Sequence, residues 1–443
     1  MAHIDYDVII AGGGVAGIAA AAALNEFDWS VLIVEPGQHA DRRLAGELIH
    51  PPGVAALTEL GLLRGSCFAG FVPIKGFIAF PGAEDDRSDI PLPYVTGQPC
   101  DLGLALDHVR IRTDLQAAAE ALPYVKTLRG RVIGVENTGS PASVTVMSSG
   151  GRLNLNCRMI ISADGASSSV RSLAGITHIR RPISTVTGYV ITDKNLPSPG
   201  FGHVFIGSLA PLLVYEIGEG RARVLFDQPI TQSDIAPALH RARVTAAIPH
   251  EQLRAEIADA IETQHGLSFI SADLIVERAN RGRVALVGDA GGSCHPLTAT
   301  GMTIGAADAL RLRNALRESR GDIPASLAIY GDRRRAPQRA RLLVASALHE
   351  ACSGSTPESK HIRGGLIRYW THGIRGRQAS MAILAMTDDR LVSAFREMLI
   401  VILHGFAPPR KRWQIADLVT GIRLLTGLAN LVRRQMTFAM RAR

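Results

Sequence analysis

Three glycines and three acids in this chain are spaced for work on a phosphate-bearing cofactor. Gly12, Gly14 and Gly17 form Gly-x-Gly-x-x-Gly after the apolar run 8–11, with Val15 and Ala16 between the last two. Gly12 permits a tight turn, Gly14 lets backbone approach a pyrophosphate, and Gly17 lets a helix pack close on a strand. A second apolar run, "SVLIVE", ends on Glu35, followed by Pro36; an acid placed 18 residues past Gly17 suits ribose hydroxyls. Asp164–Gly165 ends the run "MIIS", with Ser168 and Arg171 after it. Asp289 ends the run "RVALVG" and precedes the crowded turn "AGGSCHPLTATGMT".

Those residues need particular elements beneath them. Runs 8–11 and 31–35 read as buried parallel strands, and the alanine-rich stretch after Gly14 as the helix whose free N–H groups hold phosphate. The pattern alone does not separate NAD from FAD. A further helix is expected to start near Gly301.

The chain has 443 residues, 47% of them apolar, and a formal net charge of +8. Its length predicts two or three domains. From residue 361 onward there are 14 Lys/Arg against 4 Asp/Glu, leaving 34 against 36 in the rest. A near-neutral body argues against nucleic-acid binding, and the basic tail predicts a partner of its own. Five scattered cysteines give neither a disulfide framework nor a zinc site. With no signal-peptide pattern and no apolar run of about 18–20 residues, a cytoplasmic setting is expected. No Ser-His-Asp order, paired-carboxylate site or metal cluster competes with the dinucleotide reading, and no metal is assigned.

The pattern Asp164-Gly165-x-x-Ser168-x-x-Arg171 resembles the DG fingerprint of flavoprotein hydroxylases, and "RVALVGDA" their GD motif. With the N-terminal glycines, they resemble the three signatures of the para-hydroxybenzoate-hydroxylase-like fold. The resemblance implies FAD, with Asp289 beside its ribitol or pyrophosphate and the helix from Gly301 pointing at the isoalloxazine. His295, in that turn, is expected to satisfy backbone rather than act as a base.

The likeness narrows further. "RRLAGELIHPPGVAALTELGL", "HPLTATGMT", "PLLVYEIGEGRARVLFD" and "ALHEACSGS" resemble blocks of squalene epoxidases. This resemblance implies that Arg43 and Arg110 contact FAD, with Arg112 a rival for the second role. It implies that Val132 holds the adenine through its backbone and that Met302 meets the flavin ring. Two positions depart from the family: His50 stands where it has glutamine, and Phe77 where it has tyrosine near the start of the substrate sheet. These two are the substrate-pocket candidates, and the change puts squalene itself in doubt.

The fold implied is α/β: a Rossmann-like FAD-binding domain, an inserted mostly β substrate domain and a helical C-terminal tail. Residues 1–71, 101–173 and 276–340 are assigned to the first, 72–100 and 174–275 to the second, and 341–443 to the third. The activity implied is an FAD-dependent monooxygenase placing one oxygen from O2, through a C4a-hydroperoxyflavin, into an isoprenoid, polyene, or alkylated aromatic or quinolone. NADPH or NADH donates the electrons, directly or through a separate reductase. The basic, apolar tail helices predict peripheral binding at the cytoplasmic membrane face. The rival readings are a prenyl-lipid reductase on the same fold and a non-catalytic flavin- or lipid-binding protein. A halogenase is disfavoured, because the tryptophans Trp29, Trp370 and Trp413 stand alone.

Overall fold

A computed structural model describes residues 3–37, 44–64, 68–82, 89–97, 100–206, 211–230, 241–242 and 245–406. Arg43 and the tail stretch 416–436 lie outside them.

Four strands set the cofactor edge. Val31–Glu35, Tyr6–Ala11, Gly151–Ser162 and Val284–Leu286 lie side by side and parallel. Their apolar side chains are almost all buried on both faces, as central parallel strands require. Ala11 is level with Val34 and with Ser162, and Ser162 with Leu286. All four strands therefore end at one edge, the place where ligands of open α/β sheets bind. Val125–Glu136 extends this sheet beyond Val31–Glu35, then turns with Ala142–Ser148 into an antiparallel wing that returns to Gly151–Ser162. Helices Val15–Leu24 and Gly301–Glu318 pack together over one face of the sheet, within a single apolar core.

A second sheet of seven strands runs in the order Leu267–Val276, His178–Thr192, Arg221–Pro229, Leu212–Gly218, Gly202–Phe205, Gly76–Phe80, Ile90–Pro93. Its pairings are antiparallel except Gly202–Phe205 with Gly76–Phe80, which is parallel. Alternation gives it two unlike faces. One, with Ile78, Phe80, Phe205 and Val224, buries against helix Glu251–Thr263. The other, with Phe77, Ala79, Leu213 and Tyr215, buries against Trp370, Met381 and Val401 of the C-terminal helices. Those helices are Ile323–Ser353, Pro357–Thr371, Ile374–Leu384 and Leu391–Phe406. None of the described helices is long and apolar enough to cross a membrane.

Candidate functional site

The glycine turn is built for close approach. Gly12 has φ +104°, and a Cβ there would collide with the Ala163 carbonyl. A Cβ on Gly17 would strike the Gly12 carbonyl. Gly14 differs: its φ is −80°, and a Cβ there would meet nothing within 4 Å. It precedes helix Val15–Leu24, whose N-terminus has no side-chain cap. Free N–H groups beside open space are what a pyrophosphate needs. Val15 is buried, and Ala16 lies against Gly288 and Gly305, so the turn also touches the segment around Asp289.

Glu35 stands at the next strand end. Its Oε2 accepts the Gly13 N–H at 2.6 Å, and Arg112 Nη2 lies 3.6 Å from its Oε1. Arg110 instead donates from Nε to Asp114 Oδ1 at 2.9 Å on an exposed face of helix His108–Glu120. Of the two arginines, Arg112 is therefore the one at Glu35. Ile111, Leu115 and Ala119 face inward, and that helical phase decides which arginine meets the strand end. Pro36 is exposed beyond Glu35. Val132 is buried in the sheet core at a bulge, three residues past Arg129, the register partner of Glu35.

Asp164 works first on its own chain. Its Oδ1 accepts from Ser162 Oγ at 2.7 Å, and its Oδ2 accepts from the N–H groups of Ser169 at 2.8 Å and Val170 at 3.2 Å. Ser168 caps helix Ser169–Leu173 by accepting the Arg171 N–H, and Asp164 takes up two further N–H groups of that first turn. Gly165 takes φ +78° to make that turn, with open space at its Cβ position. Arg171, fully buried, donates to the carbonyls of Ala166 at 2.9 Å and Ala290 at 3.0 Å.

The Asp289 turn is held from below by two arginines. Asp308 Oδ2 accepts the Gly288 N–H at 2.9 Å and Arg334 Nε–H at 2.8 Å, and Arg334 also donates to the carbonyls of Gly288 and Gly291. Arg341 donates to Thr300 Oγ1 at 2.9 Å and to the Gly292 carbonyl at 3.2 Å, with Nη2 3.3 Å from Asp289 Oδ1. The Asp289 carboxylate remains 40% exposed at the edge. Helix Gly301–Glu318 starts just beyond Thr300 without a side-chain cap. Met302 is buried against the Gly46 segment.

His50 and Phe77 lie together, as ring neighbours 6.0 Å apart, and a third ring joins them. Tyr94, just past strand Ile90–Pro93, meets His50 edge-on at 5.7 Å and Phe77 at 6.3 Å. His50 Nε2 lies 2.8 Å from the Thr298 carbonyl, which only accepts, so Nε2 carries the proton. Nδ1 then accepts from the Tyr94 hydroxyl at 2.7 Å. Burial lowers the His50 pKa to about 4, against a smaller upward pull from the Thr298 carbonyl. The ring is therefore neutral, and both nitrogens are taken by protein groups rather than left for a ligand. Burial also raises Tyr94 well above its usual value, so its hydroxyl stays protonated. Tyr94 has no signal in the sequence beyond a strand-like stretch, "IPLPY".

A buried ion pair ties the second sheet to this region. Glu47 accepts from Arg223 Nη2 at 2.6 Å and Nε at 2.8 Å, and from Tyr215 Oη at 3.3 Å. Glu47 lies one residue before strand Leu48–Ile49 and three before His50.

Comparison with known proteins gives four findings. A family model described as squalene epoxidase matches residues 156–409. The squalene epoxidase of Aspergillus fumigatus is 27% identical over 390 residues, 84% of this chain and 80% of its own. The squalene monooxygenase of Mus musculus is 27% identical over 420 residues, 90% of this chain and 71% of its own. Among solved structures, anhydrotetracycline hydroxylase from Streptomyces rimosus is similar with a TM-score of 0.67 at 21% identity, covering 86% of this chain and 76% of that one. This last likeness carries the fold.

Proposed function

The chain belongs to the squalene epoxidase family and is an FAD-dependent monooxygenase, and we propose that it adds one oxygen atom of O2 to an alkene or aromatic carbon of a lipophilic substrate. One observation carries the reading. The glycine turn, Glu35, the Asp164–Gly165 turn and Asp289 follow four parallel strands that end level with one another.

The residues at this edge fit an adenine dinucleotide. Gly14 is open where a phosphate must come close, and two uncapped helix N-termini, at Gly14 and Thr300, offer free N–H groups. In this reading Gly12–Gly17 hold the pyrophosphate, Glu35 and Arg112 the ribose end, and Asp289 the ribitol chain. Val132 and Pro36 border the adenine end. Arg43 and Arg110 are the remaining candidates for contact. Met302 and the Gly301 helix start border the ring. Bound FAD supplies the reduction and activation of O2, with NADPH or NADH as electron source, directly or through a reductase.

The chain's own part is to bind, orient and keep water out. The second sheet turns Phe77, Ala79 and Leu213 toward Leu297 and Ala299 of the turn, in one apolar cluster with the C-terminal helices. Such a wall suits a lipophilic substrate and a dry reaction. The hydroxyl lost by having Phe77 in place of tyrosine returns from Tyr94, with His50 as its acceptor. We assign the Tyr94–His50 pair to fixing the three-ring cluster that shapes the substrate site beside the turn.

We also assign the C-terminal helices to a membrane surface. Ile374, Val392 and Leu403 are apolar and largely exposed there, and the sequence after residue 406 is rich in Arg and Lys. Pelleting with anionic liposomes, lost at high salt, tests this. Product analysis under isotopically labelled dioxygen tests the oxygen transfer; products without label would argue for the reductase alternative.

A further inference from the structure

Three ligand-type side chains converge beside the turn. They are Asp227 near the end of strand Arg221–Pro229, His295 at the head of the turn, and His349 on helix Ile323–Ser353. Their ligand atoms all lie within 4.8 Å of one another. Asp227 and His295 are almost wholly buried, and His349 is partly so. Two histidines and a carboxylate are the composition of many metal sites.

Hydrogen bonding assigns them otherwise. The Leu297 N–H donates to His295 Nδ1 at 3.2 Å. In the neutral ring the proton is then on Nε2, which leaves no lone pair there for a metal. Nε2–H instead lies 2.9 Å from Ser184 Oγ and 3.3 Å from Asp227 Oδ1. His349 Nε2–H donates to Asp227 Oδ2 at 3.0 Å. Burial alone would raise the Asp227 pKa, but hydrogen bonds from His295 and His349 outweigh it and hold the carboxyl well below its usual range. Asp227 is thus a buried anion that accepts from His349 and faces His295 Nε2–H across 3.3 Å, while Ser184 Oγ is the nearer acceptor of that proton.

We infer that Asp227 is a positioning residue: with Ser184 it holds His295 in the Nε2–H tautomer, so that Nδ1 can cap the turn carrying Thr298. The contacts form one series of hydrogen bonds joined by the electrostatic contact between Asp227 and His295. His349 fixes Asp227 from the long helix, Asp227 and Ser184 fix His295 from the second sheet, and His295 fixes the Leu297 amide. One residue later the Thr298 carbonyl receives His50, which in turn receives Tyr94. The same turn leads into helix Gly301–Glu318 at the cofactor edge. Asp227 acts on that edge through His295.

The test is nitrogen-15 spectroscopy of the histidine rings in the full chain, with His295 assigned from the His295→Asn variant. At neutral pH the native protein is expected to show His295 with a bare Nδ1 and a protonated Nε2. Asp227→Asn cannot accept from both rings; it is expected to lose that single tautomer and to weaken FAD binding by about tenfold, the equivalent of one charge-assisted hydrogen bond. His295→Asn, whose side-chain oxygen can still accept the Leu297 amide, is expected to bind FAD more tightly than His295→Ala. A protonated Nδ1 on native His295 overturns the inference, even if Asp227→Asn fails to fold. So does a stoichiometric metal bound to both imidazoles, or an Asp227→Asn protein with tautomer and FAD affinity unchanged. The FAD arm rests on the proposed cofactor reading, whereas the ring measurement does not. Native protein that binds no FAD therefore overturns the cofactor reading and leaves the spectra to decide this one.

Discussion

Arg171 donates through Nη1 to the carbonyl of Ala290, 3.0 Å away and 119 residues further along the chain. One buried guanidinium thereby ties the turn after Asp164 to the turn after Asp289. Two motifs that look independent in the sequence form one rigid edge. Arg171→Leu strands the Ala166 and Ala290 carbonyls without donors. It is expected to cost about 3 kcal/mol in urea unfolding, the scale of charged hydrogen bonds lost in a buried site. Arg171→Lys can reach one carbonyl but not both and is expected to fall between.

Gly14 and Gly17 separate folding from binding. Gly17→Ala drives a methyl into the Gly12 carbonyl and is expected to destabilise the fold by about 1–3 kcal/mol. Gly14→Ala meets no protein atom within 4 Å and sits at an ordinary φ, so its melting temperature without cofactor is expected to match the native protein's. Its FAD affinity is expected to fall at least tenfold, because the methyl occupies space left for the pyrophosphate. Calorimetry for FAD beside thermal melts of the cofactor-free proteins reads both. Equal FAD affinity for Gly14→Ala and native protein would remove the pyrophosphate from this turn.

His50 sets an acid limit on stability. Its folded pKa of about 4 lies below the unfolded value of 6.5, so the unfolded chain takes the proton first as pH falls. The contribution is full above pH about 6.5 and drains away toward pH about 4. Between pH 7 and pH 5 the native protein is expected to lose about 2 kcal/mol more than His50→Gln. Asp273 runs the other way. Burial raises it to about 6, against the pull of Arg181 and His349, so its contribution is full below the usual carboxylate range and is lost as pH rises through 6. Asp273→Asn is therefore expected to steepen the acid loss. Denaturant titrations at four or five pH values distinguish the two.

Asp308 and Arg334 form a fully buried ion pair under the Asp289 turn, 2.8 Å apart. Breaking one half leaves the other charged and desolvated, so Asp308→Ala is expected to cost about 3–5 kcal/mol. FAD is expected to restore part of that loss, because ligand binding favours the folded turn. Unfolding midpoints with and without FAD measure it.

How much of the site is legible in the sequence depends on the range of each interaction. Gly17, Asp164–Gly165 and the helix start at Gly301 are local devices, set by turn geometry and close packing within a few residues, and single-sequence spacing marks them. Gly12 is legible with them through its turn, although the carbonyl it makes room for belongs to Ala163. Arg334 and Arg341 carry no such mark. Their partners lie 26 and 52 residues away, and an arginine in a long helix looks like any solvated one until the fold buries it. Tyr94 is invisible for the same reason: its bond to His50 spans 44 residues across two strand segments. His50 and Phe77 are recognisable as departures from a family pattern, but not as two corners of a three-ring cluster. Arg112 is separable from Arg110 only by helical phase, which packing of Ile111 and Leu115 fixes.

The central claim is oxygen transfer to a lipophilic substrate. The most direct test incubates the purified, FAD-loaded protein with NADPH or NADH, with and without a flavin reductase, and a membrane lipid extract under isotopically labelled dioxygen. The expected result is a lipid product heavier than its precursor by one labelled oxygen atom, dependent on both electron donor and protein. FAD that turns over in the presence of the extract while no product carries label would contradict the account.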